Sequence, residues 1–182
     1  IVYYYIVAQD ITYITNTGSN PSTVAATGVN SIITAPTTPN SYTLKYTLGG
    51  TYTVGGGGNF TTLTAAVSAY NNACALTSAV VFELIDNTYG AETFPITINN
   101  HSDASAFNTL TIRPSATATP TISGTSSAAT FSLDGAKYIR FDGRQGGTGT
   151  PKSLTIYTSS TGVTINIVND AQNNIINYCN IK

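Results

Sequence analysis

Methionine and tryptophan are absent from the 182 residues, and charge is scarce. Lys, Arg, Asp and Glu together make up 8% of the chain, against about 25% in an ordinary soluble domain. Seven basic and eight acidic residues leave a net charge of −1, and they stand singly rather than in runs. With no basic stripe to neutralise phosphates, nucleic acid is not an expected partner. No apolar run approaches the length of about 20 residues that spans a bilayer, and no basic amphipathic helix is present to lie on one.

What fills the gap is Thr, Ser, Asn, Gly and Ala, with 12 Tyr and a hydrophobic share of 41%. A chain this apolar with so little net charge supports a core rather than disorder. Its Thr, Val, Ile, Tyr and Phe suit the pleated surface of a sheet. The length fits one medium domain or a domain with part of another, and it suffices to bury a core without metals or disulfides. The chain opens on Ile1-Val2-Tyr3 and stops in the strand-like Asn180-Ile181-Lys182, so it is expected to be a piece of a longer protein.

Val2-Tyr3-Tyr4-Tyr5-Ile6-Val7-Ala8 is dense in aromatic and β-branched residues and reads as a strand. A polar turn is expected over Asn16–Pro21, then a weaker strand through Val24 to Ile32-Ile33. The run Thr34–Ser41, with Pro36 and Pro39, has no apolar periodicity and reads as a short, semi-rigid linker. Gly55-Gly56-Gly57-Gly58 precedes Asn59-Phe60 and lacks the Lys and Ser/Thr of a phosphate-binding loop, so it reads as an entry turn. Phe60, Leu63, Val67 and Tyr70 recur at helical spacing, which predicts a helix over about 60–71, capped by Asn59 or Thr61. A lone helix ahead of many strands suggests a lid over an exposed sheet end.

From Val80 onward the strand signals are short and recur: Val80–Ile85, Ile96–Ile98, Leu110–Ile112, Phe131–Leu133, Tyr138–Phe141, Leu154–Ile156, Val163–Ile167 and Ile175–Ile181. Most show the apolar–polar–apolar triplet of a strand with one buried face, separated by Gly, Asn, Asp, Ser and Pro. A sandwich, a propeller and a solenoid compete. Brief strands joined by Asn-rich turns favour the solenoid, in which each layer buries its inward residues on the next. Such stacking would separate Cys74 from Cys179 by several layers about 4.8 Å apart, beyond the ~7 Å that a disulfide spans. Both are therefore expected as buried free thiols.

Resemblance adds to this reading. Phe131–Gly143 and Asn169–Ile181 resemble the coils of pectate-lyase-like right-handed parallel β-helices. Asn59–Val67, followed by Val80–Phe82 and Phe94–Ile98, resembles the cap and first coil of such domains. The tyrosine-rich strand, turn and second strand of the first 35 residues resemble the last hairpin of a fibronectin type III or immunoglobulin-like module. The combination is similar to large surface proteins that leave bacteria by the type IX secretion route. The expected fold is thus all-β: residues 1–35 the end of a β-sandwich module, 36–49 a linker, and 50–182 the cap and first coils of a parallel β-helix.

A β-helix lyase needs carboxylates clustered on one outer face to hold Ca²⁺ and a basic residue to take a proton. A hydrolase needs paired carboxylates. The nearest candidates are Asp134 and Asp142 with Arg140, Arg144 and Lys152, although Asp134-Gly135 and Asp142-Gly143 also read as turns. Asp134, Asp142, Arg140 and Arg144 are kept as ligand-binding candidates, with no catalytic or metal residue assigned. His101 reads as a loop residue. Asp86-Asn87-Thr88-Tyr89-Gly90 offers oxygen atoms but not the spacing of a Ca²⁺ loop, so no cofactor is expected and Ca²⁺ alone stays open. The resemblance implies a secreted or cell-surface bacterial protein, adhesin-like, structural or carbohydrate-binding, and a non-enzyme on balance. Its partners would be extracellular polysaccharide, cell-surface components or the outer-membrane secretion machinery that holds it as cargo. The alternative is a polysaccharide lyase or glycoside hydrolase whose active site lies in further coils.

Overall fold

The structure, a computed structural model, describes residues 1–9, 17–20, 29, 37–42 and 46–182. The chain divides into two compact units, Ile1–Lys45 and Tyr46–Lys182.

In the first unit four short strands are described: β1 (Val2–Tyr4), β2 (Ile6–Gln9), β3 (Thr17–Asn20) and β4 (Asn40–Tyr42). β1 pairs antiparallel with β4, and β2 antiparallel with β3. The aromatic run is therefore two strands divided at Tyr5. β3 occupies most of the span expected as a turn, because pairing with β2 overrides the weak local preference of Thr-Gly-Ser-Asn. The strand expected through Val24 and Ile32-Ile33 lies outside the described residues.

The second unit runs β5 (Thr47–Val54), α1 (Leu63–Asn72), β6 (Ala75–Leu84), β7 (Ile96–Asn99), β8 (Leu110–Pro114), β9 (Thr121–Gly124), β10 (Ala129–Asp134), β11 (Ile139–Asp142), β12 (Leu154–Thr158), β13 (Val163–Val168), β14 (Ile175–Asn177) and β15 (Cys179–Ile181). β5 begins inside the span expected as linker. These strands form three parallel sheets, ordered β13-β10-β7, β14-β11-β8-β6-β5 and β15-β12-β9. From β7 onward the chain visits the three sheets in the same order three times.

Register turns this order into columns. Ile96, Phe131 and Ile165 stand opposite one another, as do Ile98, Leu133 and Ile167. Phe82, Ile112, Phe141 and Ile176 make a third column, and Ile122, Ile156 and Ile181 a fourth. The members of these columns up to β12 are buried, and the ring of Phe131 meets that of Phe141 edge-on at 4.9 Å. Alternation puts every second residue inward, which is why three-residue apolar triplets suffice to build the core. β9 is not among the expected strands, since Thr121-Ile122-Ser123-Gly124 offers one large apolar residue.

Corners between sheets use left-handed backbone. Tyr138, Asn169, Asp170, Asn173 and Tyr178 all have positive φ. Tyr178, at φ 51, breaks the expected strand 175–181 into β14 and β15. Gly143 is required by close approach, because a Cβ there would sit 1.8 Å from the Tyr178 carbonyl oxygen.

α1 starts three residues later than expected. Thr62, not Asn59 or Thr61, caps it by accepting the Ala65 N–H at 3.1 Å. The Glu92 carboxylate accepts the Leu63 and Thr64 N–H groups at 2.8 and 2.7 Å and the Thr64 hydroxyl at 2.5 Å, adding negative charge at the positive end of the helix. Leu63, Ala66, Val67, Ala69 and Tyr70 are buried. Asn71 on the same helix covers the edge of β7: its amide nitrogen donates to the Thr97 carbonyl at 2.8 Å and its oxygen accepts the Asn99 N–H at 3.0 Å. No helix among the described residues is long and apolar enough to cross a membrane.

Candidate functional site

The outward face of β11 carries two of the four candidate residues, Arg140 and Asp142. Ile139 and Phe141 point into the core, so Arg140 and Asp142 face away from it. Thr53, Glu83 and Arg113 stand opposite one another on β5, β6 and β8. Phe141 faces Ile112 on β8, so Asp142 continues that row, and Asn177 on β14 stands opposite Asp142. The result is an outward polar row, Thr53–Glu83–Arg113–Asp142–Asn177, across five strands.

Two ion pairs organise it. Arg113 donates from Nε and Nη2 to Glu83 Oε1 at 3.1 and 2.7 Å. Arg144, beyond the end of β11, folds back on Asp142: Nε donates to Oδ1 at 2.9 Å, Nη2 to Oδ2 at 2.7 Å, and its backbone N–H to Oδ1 at 3.1 Å. The guanidinium lies 4.8 Å from the centroid of the Tyr178 ring, within reach of a cation–π attraction. Hydrogen bonding from Arg144 holds the Asp142 carboxyl below its usual range, against the opposing effect of burial, and Asp142 in turn raises the Arg144 guanidinium.

That geometry constrains the chemistry. A carboxyl serving as general acid needs a pKa raised towards the working pH, whereas Asp142 is shifted the other way. Both its oxygens already accept from Arg144, leaving it poorly placed as a base. What the face offers is fixed charge and hydrogen-bonding capacity, with Arg140 exposed beside Thr111 and Ile175 in the neighbouring row. Among the described residues Arg140 makes no ion pair.

Asp134 is not part of this face. It ends β10, in a different sheet, beside Gly135 at φ 63, and its carboxylate accepts from the Asn169 amide of the next layer at 2.5 Å. The structure thus brings Asp142 and Arg144 together, places Arg140 on the same strand face, and sets Asp134 at a corner. Lys152 is exposed, with its carbonyl accepting from Asn180. Glu83 and Arg113 escaped the sequence reading. A usable signal existed: Val80–Glu83, Leu110–Arg113 and Ile139–Asp142 share one pattern, two inward apolar residues and then a charge.

The remaining polar candidates hold turns. Asp86 accepts the Gly56 N–H at 2.8 Å, and Asn87 accepts the Thr119 N–H at 2.8 Å. His101 is buried; its Nδ1 accepts the Asp103 N–H at 3.1 Å, so Nε2 carries the proton that faces the Ala73 carbonyl at 3.2 Å. No group of three or more His, Cys, Asp or Glu suited to a metal occurs among the described residues. Both cysteines are free, but Cys74, in the turn between the buried C-cap Ala73 and β6, is exposed rather than buried. Cys179 is half-buried with Sγ towards the Phe141 and Asn177 carbonyls, and burial pushes its thiol up to about 12. A shallow groove lies between α1 and the strand β7. Its polar lining is engaged within the fold, Thr64 with Glu92 and Thr93, and Asn71 with β7.

Comparison with protein-family models, curated proteins and solved structures gives no match to this chain.

Proposed function

We propose that the three parallel sheets are the faces of a right-handed parallel β-helix, and that the chain belongs to a secreted, adhesin-like bacterial surface protein with a structural or carbohydrate-binding role. The observation that carries the fold reading is the threefold return of the chain to the same sheets with inward columns in register. Brief strands stacked in this way are the economy of a solenoid, in which each coil contacts only its neighbours. The functional part rests on surface chemistry: very low charge, outward Thr and Asn, and Arg140, Asp142 and Arg144 held on one face. Arg140, exposed and in no ion pair among the described residues, is the guanidinium on this face that suits the hydroxyl and carboxylate groups of an extracellular polysaccharide. The first unit, in this reading, is the end of a sandwich module, and the protein is cargo of the type IX route. Among the described residues no strand pairs with the outer edge of β13, β14 and β15, where the inward-column residues Ile167, Ile176 and Ile181 are exposed.

Binding to a panel of neutral and acidic extracellular polysaccharides, followed by calorimetry with analysis of the sugar afterwards, tests the functional part. Saturable binding without cleavage, retained in Asp134→Ala and weakened in Arg140→Ala, is the expected result. Depolymerisation by the chain would overturn it in favour of a lyase or hydrolase. That second reading places the active site in further coils, since Asp142, held low and paired with Arg144, is not set up here as acid or base.

A further inference from the structure

We draw no further inference here: the strongest candidate, the uncharged edge formed by β13, β14 and β15 taken as a docking surface for a second chain, carries nothing because nothing in the structure shows what covers it.

Discussion

Removing the same kind of side chain from two levels of one column should cost very different amounts. Leu133 lies between Ile98 and Ile167, is 0% exposed and has a strand on either side. Ile167 is the next member outward and is 54% exposed, with no strand beyond it among the described residues. Truncating a fully buried Leu to Ala loses both transfer energy and the contacts around a new cavity, about 3 kcal/mol. At Ile167 roughly half the side chain is already in water, and no enclosed void forms, so Ile167→Ala should cost about 1 kcal/mol. Urea unfolding followed by far-ultraviolet circular dichroism reads the difference. With a slope of about 2 kcal/mol/M, Leu133→Ala should move the midpoint by about 1.5 M and Ile167→Ala by about 0.5 M, the slope being unchanged. A Lys at 167 should likewise be tolerated, whereas a Lys at 133 should prevent folding. Equal losses at the two positions would refute the reasoning, because they would mean that Ile167 is covered in solution and β13 is not the outermost layer.

Three other outcomes are expected. Thr62→Ala should cost about 1 kcal/mol by removing the acceptor for the Ala65 N–H, and Glu92→Ala should cost about as much again, both read by thermal melting; unchanged melts would sink the capping account. With a thiol-specific chromogenic reagent at pH 8, one thiol per chain should react at once, from exposed Cys74, and the second only after denaturation, since burial raises the Cys179 thiol to about 12. The Asp142 carboxyl is held low in the folded state, so its contribution to stability is present above the unfolded value of about 3.9. It is lost as pH falls through the lower folded value, so Asp142→Asn should flatten the stability curve below about pH 4. Parallel acid curves for both proteins would show that Arg144 does not hold the carboxyl.

Much of the fold was legible because its signal is periodic. Triplets such as Leu110-Thr111-Ile112 and Phe131-Ser132-Leu133 declare their inward faces by alternation alone, and every one of them is a strand. What escaped was set by non-local pairing. β9 contains a single large apolar residue and exists because Thr121 to Gly124 pair with β12. β3 lies in residues that read as a turn. The stretch Ile175–Ile181 reads as continuous strand, yet a corner at Tyr178 passes its halves to different sheets, and no local rule favours Tyr in left-handed backbone. The site divides the same way. Asp142 and Arg144 are two residues apart and could be suspected together. Glu83 meets Arg113 across 30 residues only because β6 and β8 are in register.

The abundance of asparagine also follows from the short parallel strands. A parallel strand at an edge leaves alternate N–H and C=O groups unpaired, and the Asn side chain is the residue that carries both an amide donor and a carbonyl acceptor on one short stem. At the edge of β7, Asn71 supplies both at once, replacing the peptide of an absent strand. At the edge of β5, Asn59 accepts the Thr53 N–H at 2.9 Å while the Phe60 N–H donates to the Thr53 carbonyl at 3.1 Å. Just ahead of β9, the Asn87 side-chain oxygen accepts the Thr119 N–H at 2.8 Å. At a corner, Asn174 accepts the Ile139 N–H and donates to the Ala136 carbonyl, both at 2.9 Å. Charged side chains cannot do this, being donors only or acceptors only when ionised. A chain of many short strands, with edges and turns for side chains to finish, therefore gains more from amides than from charge. The 8% charge that first sets this sequence apart is the composition expected of such an economy.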